Sequence, residues 1–388
     1  MLQQFCLVAP HARKYIHLRA RLERVFFKNV SIGDLVYLVA VPLKSHQRRF
    51  TSPVYTSQHI NMNNSLEGIF GLPCEIQLKI FAELDDDRDC IAFGLTCAYF
   101  WGLALPVLHD KWAANLGSWA GEKIVCVGDW VKAEDYPPGL FSDAEILFFD
   151  QPEIRSALGI YSLSASEPNP VTLYGFSSRV MGCKQVLGTI WKNARREILL
   201  MRCSMGLAKH SLGFNTAKKH DFNTATKHDL KNFEEHCFYP RDQPWILRNL
   251  TTKEFIRSEA VALKLEFIQG PRIKGIGFAH VILSRICWSS VSNDDIGDPT
   301  KFTRGVWAGH RFDITQLSRH IETTRGETWI DISSEVMDDM SRIWERKYGP
   351  DWRERIIESV LLRERYRARR PANDYLGPMI RNLSVASC

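Results

Sequence analysis

The chain has 388 residues, 45% of them hydrophobic and 24% charged, enough for two or three domains with a substantial core. Its 24 Gly and 17 Pro exclude a collagen or a low-complexity chain, and its ten Cys stand singly with no Cys-x-x-Cys pair. That spacing argues against a zinc finger or a disulfide scaffold and fits reduced thiols. The net charge of +6 is concentrated in residues 1–67, and the remainder sums to zero. Nucleic acid is therefore not expected as a partner of the folded body.

Along the chain, residues 1–65 read as a basic leader and polar linker without a fixed fold. Arg13, Lys14, Arg19, Arg21, Arg24 and Lys28 outnumber Glu23 near its start, which leaves a mitochondrial presequence as an alternative. A secretory signal is not expected, because there the basic residues would precede the apolar ones. Leu35–Leu43, the longest apolar candidate, falls well short of the roughly 20 residues that span a bilayer, so no membrane partner is expected. The run TSPVYTSQHINMNNSLE at 51–67 is polar and aperiodic, as a linker would be.

Glu75–Leu84 then carries Ile76, Ile80, Phe81 and Leu84 on one helical face, followed by an acidic turn at Asp85–Asp87 and a second helix over Asp89–Cys97. A third helix is predicted over Trp101–Trp112, bent or interrupted at Pro106. Downstream, strand-like runs occur at Lys123–Val127, Glu145–Phe149, Val171–Tyr174, Trp245–Leu250, Gly277–Trp288 and within Thr303–Ile314. Thr251 and Glu254 form a capping box that predicts a helix to about Leu263. Val336, Met340, Ile343 and Trp344 stripe another helix, closed by Gly349 and Pro350, and Asp351 caps a last one from Trp352 to about Arg370. The tandem octamers FNTAKKHD and FNTATKHD at 214–229 suggest an exposed inserted loop. The fold class is α+β, with a three-helix unit at 66–115, a mixed α+β domain at 120–362 and a basic tail at 363–388.

Residues 72–112, LPCEIQLKIFAELDDDRDCIAFGLTCAYFWGLALPVLHDKW, resemble the F-box. Leu72, Pro73, Glu75, Ile76, Ile80, Phe81, Leu84, Asp89, Leu95, Cys97 and Phe100 or Trp101 stand in the order of that pattern. Gln77 departs from it, where an apolar residue is common, as does Ala98, where a basic one is common. Gly94 should weaken the second helix by up to about 1 kcal/mol relative to Ala. Three short helices make too small a core to stand alone, so the unit needs either its own larger domain or a partner to cover its apolar face. The resemblance implies that the cover is the Skp adaptor, which links F-box proteins to a cullin-RING scaffold. Leu72, Pro73, Ile76, Ile80, Phe81, Leu84, Leu95, Phe100 and Trp101 would form the adaptor-binding face. It further implies a non-catalytic, cytoplasmic or nuclear receptor of a ubiquitin ligase that recruits an unidentified protein client. The alternative is an F-box protein acting without ubiquitination. The C-terminal segments PWILRNLTTKEFIRSEA, GFAHVILSRICWSS and RGVWAGHRFDI also resemble the long C-terminal regions of fungal F-box proteins of uncharacterised function.

Other chemistry is weaker in the sequence. Trp288, Trp307, His310 and Arg311 are a candidate recognition surface, against the simpler reading of core tryptophans and an Arg311 paired with Asp313 or another acid. His220, His228 and His236 recur every eight residues, but duplication explains the first interval, and neither a metal site nor a cofactor is expected. No nucleophile elbow or phosphate-cradling loop is present, so no enzyme activity is expected. RERYRARR at 363–370 reads as a solvated helix end.

Overall fold

The computed structural model describes residues 3–18, 21–28, 32–44, 68–94, 96, 98–132, 134–149, 151, 172–175, 183–185, 235–290 and 303–369. The linker at 51–67, the duplicated octamers with His220 and His228, Leu95, Cys97 and the tail beyond 369 lie outside them.

The chain opens with strands β1 (Phe5–Ala9) and β2 (Lys14–Leu18) and helices α1 (Leu22–Phe27) and α2 (Asp34–Val39). A 3-10 turn at Gly68–Gly71 leads into α3 (Cys74–Glu83), α4 (Asp87–Gly94) and α5 (Ala98–Asn115). Next come β3 (Val125–Gly128), α6 (Asp143–Phe149), β4 (Cys183–Gln185), α7 (Glu235–Phe238), β5 (Trp245–Asn249), β6 (Glu254–Arg257) and α8 (Ser258–Val261). After the short pair β7 (Ile268–Gln269) and β8 (Arg272–Ile273) follow α9 (Phe278–Ile286), β9 (Cys287–Trp288), β10 (Phe312–Gln316) and α10 (Leu317–Thr323). The described chain ends with β11 (Ile330–Asp331), α11 (Ser333–Tyr348) and α12 (Trp352–Arg369). This is a mixed α+β protein with a five-stranded sheet, β4-β2-β1-β3-β9, and a four-stranded sheet, β10-β5-β6-β11. No helix among the described residues is long and apolar enough to cross a membrane.

The structure corrects the expectation of a leader. β1 is the central strand of the five-stranded sheet, antiparallel to both β2 and β3. Because strand side chains alternate between faces, Phe5, Leu7 and Ala9 join the main core. Cys6 and Val8 point the other way, to a second cluster with Val125, Val127, Leu140 and Trp288. The run FCLVA is apolar throughout because both faces of its strand are buried. The segment around α2 is equally integral: the Gly117 and Trp119 amides donate to the Tyr37 and Leu38 carbonyls, and that of Val41 donates to the Ile314 carbonyl at 2.8 Å.

Further expectations change. Glu145–Phe149 is helical, because Ser142 and Glu145 form a reciprocal capping box, with the Ser142 amide donating to Glu145 Oε2 at 2.8 Å and the Glu145 amide to Ser142 Oγ at 3.3 Å. Gly277–Trp288 is mostly the helix α9; almost every residue in it is buried, and a short, dense apolar run of this kind does not separate a helix from a strand. The helix predicted from Thr251 to about Leu263 begins instead as the turn and second strand of the β5–β6 hairpin, the turn held by Asn249 Oδ1 accepting from the Thr251 and Thr252 amides, and is helical only in the short α8. In the expected strand at Val171–Tyr174, Leu173 and Tyr174 are helical and Val171 lies outside the described residues. The helix α5 runs through Pro106 as one element.

Candidate interaction surface

Helices α3, α4 and α5 meet through aromatic side chains spaced along them. Phe81 is fully buried and stacks on Phe93 at 4.8 Å between ring centroids, with Phe100 6.0 Å away. Trp101 is also fully buried and Phe100 nearly so. The acidic turn is fixed from α5, where Trp112 Nε1 donates to Asp87 Oδ2 at 2.8 Å and Lys111 Nζ donates to the Leu84 carbonyl. Gly94 permits this closeness: a Cβ on it would lie 2.7 Å from Ala104 Cβ and 3.1 Å from Trp101. Its cost in helix propensity is thus tied to packing, not to a loose second helix.

The predicted adaptor-binding residues separate into two groups. Phe81, Phe100 and Trp101 are interior, and Leu84 is half-buried against the core. Leu72 and Ile76 are 39% and 41% exposed, Pro73 is exposed and Ile80 is half-buried. Phe70, which the sequence did not single out, is 43% exposed while its ring stacks on Phe100 at 4.7 Å. Phe70, Leu72, Pro73 and Ile76 therefore fall within seven residues, all exposed and all apolar.

Gln77 is buried beneath this cluster at 2% exposure. Its Nε2 donates to the Ile69 carbonyl at 3.0 Å and the Leu72 carbonyl at 2.8 Å, and its Oε1 accepts from Tyr99 Oη at 2.7 Å. Both amide hydrogens and the carbonyl are used, so a buried polar residue is accommodated where an apolar one is common.

Trp288, Trp307, His310 and Arg311 do not form one recognition pocket. Trp288 packs in the second core cluster, donates Nε1 to the Asp135 carbonyl at 3.0 Å and lies under the Arg304 guanidinium. Trp307 is buried in the main core and donates Nε1 to Glu254 Oε2 at 3.0 Å, with Arg285 over its ring. His310 Nδ1 accepts from Asn249 Nδ2 at 3.0 Å, and burial lowers its pKa. Arg311 is exposed, and its Nε donates to the Gly121 carbonyl at 2.7 Å. Asp313, its expected partner, is held by Arg248 in a buried two-point pair at 2.8 and 2.7 Å. Sequence reading missed that pair because its members lie on different strands, β5 and β10, joined only by the ladder.

A cleft of about 200 Å³ lies where the chain between β8 and α9 faces α12, lined by Arg272, Lys274, His280 and Arg363 among others. Lys274 is committed to Glu364 at 2.7 Å. His280 is nearly sealed, accepts from the Gly277 amide and packs edge-on against Phe26. Burial lowers its pKa to about 4. Thiol chemistry is likewise restrained, because burial raises the Cys6 and Cys126 thiols well above their ordinary range and pushes Cys90 up to about 11. No group of metal-ligating side chains occurs among the described residues. Comparison with protein families, curated proteins and solved structures finds no match to this chain.

Proposed function

We propose that the protein is an F-box subunit that binds the Skp adaptor through Phe70, Leu72, Pro73 and Ile76. Through that adaptor and a cullin-RING scaffold it presents an unidentified protein client for ubiquitination, in the cytoplasm or nucleus. The carrying observation is the exposure of Leu72 and Ile76 beside a tightly filled aromatic core. Phe81, Phe100 and Trp101 of the unit are buried in the core that it shares with the rest of the chain, with Phe93 packed against it, so the outward apolar cluster is left as a docking face. Phe70, Leu72 and Ile76 keep about 40% of their surface in water, so covering that surface in a complex is worth roughly 1 kcal/mol each before association costs. The protein supplies no nucleophile in this reading; it raises the effective concentration of a client lysine near the ubiquitin thioester.

The test is capture of the full chain by the Skp adaptor, beside Ile76→Asp and the double variant Leu72→Ala/Pro73→Ala, with folding followed by circular dichroism. Adaptor capture by the parent and its loss in folded variants is the expected result. Absence of capture by the parent, where an established F-box protein is captured, would overturn the proposal. Co-retention of a cullin, and a client whose lifetime lengthens in the Ile76→Asp background, would place the complex in ubiquitination.

A further inference from the structure

The docking face depends on a segment that regular secondary structure alone does not hold. Phe70 belongs to the single 3-10 turn Gly68–Gly71, Leu72 follows it, and Pro73 precedes the first residue of α3. Within this stretch the Leu72 amide donates to the Ile69 carbonyl at a long 3.3 Å. The stronger ties come from Gln77, one turn inside α3, which holds the Ile69 and Leu72 carbonyls on either side of Phe70. Tyr99, near the start of α5, fixes the Gln77 amide in turn through its hydroxyl at 2.7 Å. Three elements converge on one buried amide, and two of the apolar side chains offered to solvent lie in the segment it holds.

We infer that Gln77 and Tyr99 form a positioning device that sets the conformation of Phe70 and Leu72 for adaptor docking. The inference rests on the proposed function for the identity of the partner. Gln77 stays at 2% exposure, so it acts through the segment and not by touching the adaptor. Fixing the segment in its bound shape removes an ordering cost that a free segment would meet on association. An apolar residue at position 77 would take this donor from the Leu72 and Ile69 carbonyls, leaving the Ile69 carbonyl only its long bond from the Leu72 amide, and would take the acceptor from the Tyr99 hydroxyl, so the segment would be held less firmly. The departure from the apolar residue common at this position is therefore functional in this chain.

The experiment compares the full-length parent with Gln77→Leu and Tyr99→Phe. It measures adaptor affinity by titration calorimetry, amide hydrogen exchange at 69–72 and overall stability in urea. The tyrosine variant keeps its ring and leaves the Gln77 donors in place, so it serves if Gln77→Leu fails to fold. Exchange at 69–72 should rise in both variants, and affinity should fall about 10-fold for Gln77→Leu and about 3-fold for Tyr99→Phe, as expected for buried hydrogen bonds. Ile76→Asp, which alters the face itself, should abolish binding without raising exchange at 69–72. Parent affinity in folded variants, or raised exchange without a change in affinity, would overturn the inference. So would an affinity loss that merely tracks global stability with exchange at 69–72 unchanged. A parent that binds no adaptor would instead overturn the proposed function; exchange at 69–72 would still decide whether Gln77 and Tyr99 hold the segment.

Discussion

The three-helix unit and the sheet-containing body commit the side chains singled out in their sequences differently, although the body also exposes single apolar residues such as Leu147, Leu265 and Val306. In the body, tryptophans and arginines of the kind that build recognition sites are used in packing: Trp307 between Glu254 and Arg285, Trp288 under Arg304, and Arg248 on Asp313. In the helical unit the polar Gln77 is buried and apolar Phe70, Leu72 and Ile76 are exposed. A buried charge with a partner reports structure, whereas clustered apolar exposure beside a filled core reports a surface still to be covered. The lesson is that residue type alone misleads, and the commitment of each side chain separates fold from function.

The largest expected effect lies inside both regions. Phe81→Ala should cost about 3–5 kcal/mol by opening a cavity among Phe93 and Phe100. In the body, Arg248→Met should cost about 3–5 kcal/mol by leaving Asp313 buried without its partner. The double change Arg248→Met/Asp313→Leu should recover much of that loss, because the desolvated charges vanish together. Urea unfolding of the three variants checks both values; equal losses for the single and double body variants would show that this pair is not stabilised by mutual neutralisation.

The pH dependence comes next and belongs to the body. Burial lowers the His280 pKa to about 4 from its ordinary 6.5, so between these values the unfolded chain holds a proton that the folded chain refuses. The His280 contribution is therefore fully present above about pH 6.5 and falls as pH drops toward 4, by about 3 kcal/mol in all. His310 and His320 are lowered as well, both chiefly by burial, and act in the same direction. Stability measured from pH 7 to 4.5 should fall more steeply in the parent than in His280→Gln; parallel curves would break the assignment.

The helices α3, α4, α11 and α12 were legible because one face of each repeats at helical spacing or opens on a capping signal, whereas the helix expected over Trp101–Trp112 had neither. The Val336, Met340 and Trp344 stripe is buried as its spacing predicts. The β1–β2 hairpin was not legible, because Arg13 and Lys14 at its turn resemble the charge pattern of a leader while FCLVA shows no alternation. The dense apolar run of α9 was read as a strand, because a short apolar run does not separate the two. A usable signal for α6 was present in Ser142-x-x-Glu145, and its apolar run outweighed it in the strand reading. At the candidate surface the sequence placed the apolar residues in one motif, but periodicity cannot tell a side chain facing the protein's own core from one facing a partner. Only three-dimensional packing separates Phe81 from Ile76, and only it reveals that Gln77 has its hydrogen bonds satisfied.

Smaller effects sharpen the contrast further. Gly94→Ala should lose about 1–3 kcal/mol, because the added methyl meets Ala104 and Trp101, although Ala is the better helix former by about 1 kcal/mol. A gain in urea stability would show that α4 and α5 separate more easily than the 2.7 Å between an added Cβ and Ala104 implies.

Ile76→Asp should change stability least, within about 0.5 kcal/mol, because the side chain is 41% exposed and the substitution leaves the aromatic core intact. Its effect on adaptor capture should nevertheless be the largest of all the substitutions, since a carboxylate buried in an apolar interface has to be desolvated without a partner. That opposition distinguishes a docking face from ordinary surface exposure: a residue nearly irrelevant to folding becomes decisive for association. Urea unfolding and adaptor capture on the same preparation provide both readouts, and a variant that loses both together would return Ile76 to the fold.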